Sequence, residues 1–162
     1  TAIANGSFEN SLTGWSLENF HTQLSFATFA PNEAIDGNQF AKLLPTNNHP
    51  GWARISTPIT AQAVPGNIVH ASAWVRVAAS SDTQIILLLR GLNSARTAEV
   101  GNSNTSITAT NNWKEISLSF EIPDNAQWSQ LGRLELEIVA PNLGHKQPEI
   151  QVDNVQVDVG DY

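Results

Sequence analysis

Cysteine and methionine are both absent from the 162-residue sequence. Without cysteine the chain has no disulfide framework, no thiol nucleophile and no zinc site built from thiolates. A chain of this length is long enough to bury a core and matches one domain of ordinary size. We therefore expect a single domain over residues 1–162.

Basic residues are scarce. Eight lysines and arginines stand against fifteen aspartates and glutamates, which gives a net charge of -7. The basic residues are scattered along the chain and form no stripe, and a negative surface repels phosphodiester backbones. We therefore expect no nucleic-acid partner, and the charge also disfavours a strongly anionic polymer.

Long apolar runs are missing as well. No segment approaches the ~20 apolar residues that are needed to span a bilayer. The opening residues themselves do not have the charged and then apolar pattern of a leader peptide. We expect a soluble segment without membrane contact, matured or cut from a longer protein.

Helical periodicity is absent, whereas two-residue alternation recurs. No ten residues keep an apolar stripe with a period of ~3.6, and eight prolines interrupt the chain. Apolar and polar residues alternate, as in half-buried strands, at 69–77, 113–122 and 133–138. Residues 83–89 are more uniformly apolar than the other predicted strands, as in a central strand covered on both faces, and a loop is predicted at 90–93. Further strands are predicted at 2–8, 39–44, 52–58 and 147–158.

These strands predict the fold class. Short strands separated by turn residues, with no helix among them, are typical of an all-β fold. We expect a two-sheet antiparallel β-sandwich, most plausibly a jelly roll.

The predicted closing strand has an irregularity at an acidic residue. Its apolar residues change phase between Val152 and Val155, and a β-bulge at Asp153 and Asn154 would account for the change. Such a bulge turns a carboxylate and backbone carbonyls in one direction, and calcium requires roughly six to eight oxygen ligands. Terminal strands of a sandwich often lie side by side, so Glu9 on the opening strand could join this site.

Short motifs recur in a fixed order along almost the whole chain. They are Asn5-Gly6-Ser7-Phe8-Glu9, Gly14-Trp15, Asp36-Gly37-Asn38-Gln39, Trp74 within Ala73-Trp74-Val75, Trp113, and Val152-Asp153-Asn154. In this order the chain resembles the carbohydrate-binding modules of families 4, 9, 16 and 22. The resemblance implies a calcium-binding β-sandwich that binds polysaccharide.

The resemblance also implies where calcium would bind. The ligands would be the side chains of Glu9, Asp36 and Asp153 and the backbone carbonyls of Ser7 and Gln39. In these modules the cation is structural and usually does not touch the sugar. The alternative is that Asp36 serves an Asp-Gly turn for steric reasons and that the other two acids are solvated charges.

Binding a sugar requires an aromatic plane for the C–H face of the ring, rimmed by groups that bind its hydroxyls. Trp52 is our first choice, because it opens a strand on which Trp52 and Arg54 share a face that can be wet. The resemblance also implies a stacking aromatic at this place. The other tryptophans are predicted to pack, as for Trp15 and Trp113, or are undecided between packing and ligand contact, as for Trp74 and Trp128.

Polar groups near Trp52 are candidates for binding the hydroxyls. The guanidinium group of arginine donates hydrogen bonds in a fixed, forked geometry, and the carboxylate of glutamate accepts hydrogen bonds from neighbouring sugar hydroxyls. The alternative for each residue is a solvated charge at the edge of a sheet. The predicted sugar-binding residues besides Trp52 are Arg54, Arg90, Asn93, Arg96, Glu99 and Glu135.

The resemblance favours a non-catalytic module of a secreted, extracellular glycoside hydrolase. We expect it to bind a neutral plant or algal glycan, β-glucan or xylan, in a cleft on one sheet, and to be linked to a catalytic domain. One alternative is a structural or adhesion sandwich without a sugar site. The other is a small glycosidase using Glu135 and Glu137 as paired carboxylates. The sequence disfavours an enzyme, because it has no Gly-x-Ser-x-Gly or His-Glu-x-x-His motif and its one tyrosine is the terminal Tyr162.

Overall fold

Strands dominate the part of the chain that the computed structural model describes, namely residues 1–20, 24–29, 34–45, 52–77, 82–141 and 148–160. Among these residues no helix is long and apolar enough to cross a membrane. A 3₁₀ helix occupies Trp128–Gln130. The strands are β1 Ser16–Phe20, β2 Leu24–Phe29, β3 Phe40–Pro45, β4 Trp52–Pro58, β5 Ile68–Val77, β6 Thr83–Asn93, β7 Glu99–Ala109, β8 Lys114–Glu121, β9 Leu131–Ala140 and β10 Ile150–Gly160.

The described strands form two five-stranded sheets. The first sheet has the order β1-β4-β9-β6-β7, and the second has the order β2-β3-β10-β5-β8. Neighbouring strands pair antiparallel in both sheets. The predicted two-sheet antiparallel β-sandwich is therefore confirmed.

The core lies between the sheets and follows from the alternation of side chains along each strand. Ile86 and Leu88 on β6 are only half-buried, on the outer face of the first sheet. The expectation that this apolar run is fully covered on both faces is wrong, because only the inner face of each sheet packs against the other sheet. The buried core residues include Ile85, Leu87 and Leu89 on β6, Leu134, Leu136 and Ile138 on β9, and Val69, Ala71, Ala73, Val75 and Val77 on β5.

The opening segment is not a strand, contrary to the prediction for residues 2–8. It consists of turns, because Asn5 and Phe8 adopt left-handed backbone conformations with φ of 56° and 57°. It nevertheless lies against β10, where the Ala2 N–H donates to the Val157 carbonyl at 2.6 Å. The two ends of the chain are therefore adjacent, as the sequence predicted.

Further differences concern β1, β2 and the hairpin of β6 and β7. β6 continues through Gly91 to Asn93, where a loop was expected, and Glu99 begins β7. The polar edge strand β7 lacks a clear apolar alternation, and its bounds follow from its pairing with β6. Neither β1 nor β2 was predicted.

The predicted bulge in the closing strand is confirmed. The pairing of β10 with β5 shifts register between Asp153 and Gln156. Asn154 takes a left-handed conformation there, with φ of 46°. The shift explains why both Val152 and Val155 are buried.

Candidate functional site

Charged side chains from neighbouring strands meet on the outer face of the first sheet. Ser56 on β4 lies directly opposite Glu137 on β9, and Glu135 on β9 lies directly opposite Arg90 on β6. Residues paired in this way project from the same face of a sheet. Their alternate neighbours on β9 point into the core, so this face carries the polar residues of three strands.

Glu137 is the most deeply buried acid of this face. The side chain is fully buried, and its Oε2 lies 3.2 Å from Nη1 of Arg54. Its Oε1 lies 3.7 Å from Nη1 of Arg90, whose Nε lies 3.0 Å from Oε1 of Glu99. Two guanidinium groups thus balance the charge that burial would otherwise make costly.

Glu135 forms a second group of ion pairs on the same strand. Its Oε1 lies 2.6 Å from Nη2 of Arg96 and 3.2 Å from Nη2 of Arg133. Glu135 is itself buried, whereas the side chain of Arg96 is 53% exposed. We call the combined surface the arginine–glutamate face, formed by Arg54, Arg90, Arg96, Arg133, Glu99, Glu135 and Glu137.

A groove opens beside Glu135. Its volume is about 420 Å³, which is within the range of about 300–1,000 Å³ that is usual for small-molecule sites. Arg96 and Arg133 supply cationic walls, and Ser16 and Ser56 add hydroxyl groups. Its remaining lining comes from Gly14, Trp15, Pro58 and Glu135.

Apolar side chains adjoin the charged ones on this face. Ile86 on β6 lies opposite Val139 on β9, and the next outward residue of β6, Leu88, lies opposite Glu137. The face thus combines fixed donors and acceptors with apolar surface. A sugar ring presents that same combination, with hydroxyls at its rim and C–H groups on its faces.

The structure brings together five of the predicted sugar-binding residues, Arg54, Arg90, Arg96, Glu99 and Glu135. Each takes part in an ion pair of the arginine–glutamate face. Trp52 begins β4, but its side chain lies outside the described residues.

Asn93 is placed differently from the other predicted residues. Its Oδ1 accepts hydrogen bonds from the backbone N–H groups of Thr97 and Ala98, at 2.9 and 3.3 Å. Its Nδ2 donates to Oγ1 of Thr97 at 3.0 Å. Asn93 therefore holds the turn that carries Arg96, and its side chain is engaged within that turn.

Two members of the face were not among the predicted sugar ligands, Arg133 and Glu137. A signal for both existed, because they alternate with Leu134 and Leu136 as Glu135 does, on the polar side of β9. What the alternation could not reveal is the partner strand, since Glu137 meets Arg54 only through the pairing of β4 with β9. The contact between Glu137 and Arg54 therefore follows from the sheet register and not from residue type.

Two of the predicted calcium ligands, Glu9 and Asp153, bind the segment formed by residues 34–39, which itself contains Asp36 and Gln39. Oε1 and Oε2 of Glu9 accept from the N–H groups of Asn38 and Gln39, each at 2.7 Å. Oδ2 of Asp153 accepts from the N–H groups of Ile35 and Asp36, at 2.8 and 2.9 Å. Two carboxylates from opposite ends of the chain therefore hold the same segment.

Asp153 is a fully buried acid at the β10 bulge. The pKa of its carboxyl is raised to about 6 from an ordinary 3.8, mainly by burial and to a smaller extent by the nearby charge of Asp36. Hydrogen bonds from the N–H groups of Asp36, Asn154 and Ile35 oppose the increase in pKa. A bound cation would also oppose it, because it would favour the ionised carboxylate.

The donor chemistry of this region fits a hard cation, since carboxylate and carbonyl oxygens are what calcium prefers. Ser7 lies in the opening turns, between Gly6 and Glu9 in sequence. The Gly6 carbonyl accepts a hydrogen bond from the Val155 N–H, and Glu9 binds the segment of residues 34–39. Among the described residues, no three histidine, aspartate or glutamate side chains are close enough to form a metal site. Calcium would therefore depend on backbone carbonyls as well as on Glu9 and Asp153.

Two of the tryptophans are buried packing residues. The Trp15 ring lies 5.0 Å from that of Phe8, and its Nε1 donates to the Asn5 carbonyl at 3.1 Å. Trp128, which was undecided from sequence, is also buried, with its ring 5.3 Å from that of Phe120. The prediction that Trp15 packs is confirmed.

The other two described tryptophans lie at the second sheet, away from the arginine–glutamate face. Trp113 packs against the guanidinium of Arg76, which is 4.5 Å from the ring centre, and against the ring of Phe40. Trp74 is half-buried on the outer face of β5. The predicted packing of Trp113 is confirmed.

Comparison with known proteins identifies a family. The sequence model of the carbohydrate binding domain CBM_4_9 matches residues 1–141. A search of curated proteins finds no significant match.

Solved structures share the fold at low identity. The CBM22-1 xylan-binding domain from Paenibacillus barcinonensis Xyn10C has a TM-score of 0.69 at 16% identity, covering 97% of this chain and 93% of that one. A Stig cyclase from Fischerella sp. TAU has a TM-score of 0.73 at 14% identity, covering 99% and 97%. The enzymatically active domain of tailspike protein 4 from bacteriophage CBA120 has a TM-score of 0.74 at 18% identity, covering 98% of this chain. The chain spans only 21% of that solved domain.

Proposed function

Since the chain belongs to the carbohydrate binding domain family CBM_4_9, we propose that its arginine–glutamate face binds a neutral polysaccharide without cleaving it. One observation carries the proposal. Predicted sugar-binding residues from β4, β6, β7, β9 and the β6–β7 turn meet on a single outer face, beside a groove and half-buried apolar side chains. Such an arrangement matches the hydroxyls and C–H surfaces of a sugar chain.

The ion pairs contribute by holding donors and acceptors in place before the sugar arrives. The guanidinium of Arg90, for example, bridges Glu99 and Glu137, so its orientation is set by two acids. Less conformational entropy is then lost on binding. Affinity should still be modest, because sugar hydroxyls exchange good hydrogen bonds with water for similar ones with protein.

We propose β-glucan or xylan as the ligand class, and a secreted glycoside hydrolase as the parent protein, with this module linked to its catalytic domain. The likeness to the CBM22-1 xylan-binding domain from Xyn10C supports this proposal. The family membership supports carbohydrate binding in general.

Affinity electrophoresis against xylan, mixed-linkage glucan, laminarin and mannan tests the proposal. Retention by at least one of these gels is expected for the native chain. Trp52→Ala should lose most of that retention, because the stacking aromatic contributes much of the apolar contact. Trp113→Ala is the matched control, since Trp113 packs against Arg76 away from the face, and it should keep retention.

Other outcomes would point to other functions. If no gel retains the native chain, the adhesion sandwich gains support. If Trp52→Ala is retained as strongly as the native chain, the stacking role of Trp52 is wrong. Release of reducing ends from any polysaccharide would contradict binding without cleavage and would favour a glycosidase using Glu135 and Glu137.

We also propose that Ca²⁺ stabilises the chain at the segment of residues 34–39. Glu9 and Asp153 would hold it with their carboxylates, joined by Asp36 and by the carbonyls of Ser7 and Gln39. Support comes from the burial of the Asp153 carboxylate, because a bound cation would offset the cost of burying its negative charge. The cation would supply structural cross-linking and no contact with sugar.

A further inference from the structure

The groove beside Glu135 carries more positive than negative charge. Nη2 of Arg96 and Nη2 of Arg133 both approach the same oxygen, Oε1 of Glu135, at 2.6 and 3.2 Å. Two guanidinium groups therefore share one carboxylate at the wall of an open space of about 420 Å³.

Both arginines keep hydrogen-bond donors for a ligand. Within the described residues, neither Arg96 nor Arg133 uses its side chain in any ion pair or hydrogen bond other than those to Glu135. Each guanidinium carries five N–H groups, so Nε and Nη1 of both remain available. Their side chains are 53% and 33% exposed, which leaves them accessible from the groove.

The charge at the groove limits what can bind there. The charged side chains that line it are Arg96, Arg133 and Glu135, which leaves one surplus positive charge at this place. The protein as a whole carries a net charge of -7 and repels a dense polyanion. A single anionic group would be attracted to the groove without strong repulsion by the rest of the protein. A polysaccharide with a charge on every sugar would be repelled.

We propose that this groove binds a single anionic substituent, a uronic acid carboxylate or a sulfate ester, on an otherwise neutral polysaccharide. The inference rests on the proposed function, because the substituent belongs to the chain that the arginine–glutamate face binds. Arg96 and Arg133 bind the anion with their free donors. The hydroxyl of Ser56 lies on the same groove and supplies a further polar contact.

Guanidinium chemistry favours this ligand over a neutral hydroxyl. The planar fork of arginine matches two oxygens of a carboxylate or sulfate, and such charge-assisted pairs are roughly twice as strong as neutral hydrogen bonds. Glu135 opposes the anion, but it is already neutralised by sharing two guanidinium groups. Its role is to aim the two arginines at the same place.

Nuclear magnetic resonance with small glycosides tests the inference directly. The Nε–H signals of Arg96 and Arg133 are followed in ¹⁵N-labelled protein during titration with methyl glucuronide, methyl glucoside 6-sulfate and uncharged methyl glucoside. The uronate, the sulfate ester or both should shift these signals in a saturable way, more weakly at high salt, while the glucoside should not. The response to the two anions identifies which group the groove prefers.

Matched variants locate the effect. Arg96→Gln and Arg133→Gln should each weaken binding of the anionic glycoside by at least about tenfold, because a hydrogen bond to a charged group is lost. Lys114→Gln removes the same charge from the exposed surface of β8 in the second sheet and should leave the affinity unchanged. The amide spectrum of each variant shows that it has folded.

The inference is overturned if neither anion shifts the two arginine signals, if the uncharged glucoside shifts them equally, or if Lys114→Gln weakens binding as much as Arg96→Gln. These outcomes are separate from the proposed function. If neutral polysaccharide gels retain the protein but the anionic glycosides do not bind to it, the proposed function stands and only this inference is wrong.

Discussion

At Asp153, burial and hydrogen bonding have opposite effects on the pKa of the side chain. Its carboxylate is buried at the β10 bulge and receives hydrogen bonds from the N–H groups of Ile35, Asp36 and Asn154. Those bonds stabilise the ionised form, yet burial outweighs them and the pKa rises to about 6. Neutralisation, by a proton or by a cation, therefore stabilises the fold.

The pH dependence of the unfolding free energy should reveal the raised pKa of Asp153. The pKa of folded Asp153 is about 6, above its ordinary value of 3.8, so between these values the folded state holds more protons than the unfolded state. Its stabilising contribution is complete below pH ~4 and is lost as the pH rises through ~6. Urea unfolding of the chelator-treated protein and of Asp153→Asn measures the effect.

The comparison between the two proteins isolates Asp153 from other titrating groups. The native chain should lose stability relative to Asp153→Asn as the pH rises over this interval. Added calcium should reduce that relative loss, because it favours the ionised carboxylate. A constant difference in unfolding free energy across the interval would contradict the raised pKa.

At the scale of elements, the β6–β7 hairpin and the 3₁₀ helix are joined through one indole ring. Gly91 and Gly101 lie opposite each other in the hairpin, and the ring of Trp128 covers both. A Cβ at Gly91 would lie 2.7 Å from Cζ3 of Trp128, and one at Gly101 would lie 2.5 Å from Cζ2. Only glycine leaves room for the ring, so the pair determines where Trp128 packs.

Adding a methyl group at this place should be destabilising. Gly101→Ala is expected to cost about 1–3 kcal/mol of unfolding free energy, because the buried indole must move. Gly160→Ala is the control, since Gly160 ends β10 with no atom within 4 Å of an added Cβ. That variant should change stability by less than about 0.5 kcal/mol in chemical denaturation. Equal effects of the two substitutions would refute the packing argument.

At the scale of the whole molecule, the region around residues 34–39 joins parts of the chain that are far apart in sequence. Glu9 holds this segment from the opening turns, and Asp153 holds it from the closing strand. Ala2 also pairs with Val157, so the first and last described parts of the chain support each other. A cation here would stabilise the ends against separation.

Removing calcium should therefore lower the melting temperature. A ligand present at a hundred times its dissociation constant contributes about 2.7 kcal/mol, which for a domain of this size corresponds to a change of about 5–10 °C. Thermal unfolding with calcium and with excess chelator measures the change. Glu9→Gln should lose most of the response, whereas Glu121→Gln, an exposed acid at the end of β8, should retain it. An unchanged melting temperature of the native chain would contradict the calcium proposal.

Much of the fold was predictable, because alternation along a strand reports directly which side chains face the core. Leu134, Leu136 and Ile138 were assigned to one face of β9, and all are buried. The opening segment was not predictable in this way. Its apolar residues suit a strand, but the left-handed conformations of Asn5 and Phe8 depend on packing that no local pattern records.

The sequence predicted which types of residue form the candidate site, but it did not predict how they are arranged. Arg90 was assigned to a predicted loop, whereas it lies on β6 and forms its ion pair with Glu99 across paired strands. Trp128 was undecided because its position depends on two glycines that meet only in the paired hairpin.

The sequence by itself determined the all-β class, the polar side of β9, the bulge at Asp153 and the likeness to a carbohydrate-binding family. These properties are encoded locally, in two-residue alternation and in short ordered motifs. Only the tertiary structure decided that Glu137 joins Arg54 to Arg90 and that Arg96 and Arg133 share Glu135. The physical reason is that charge balance and groove shape arise from sheet order and register, which bring together residues that are distant in sequence.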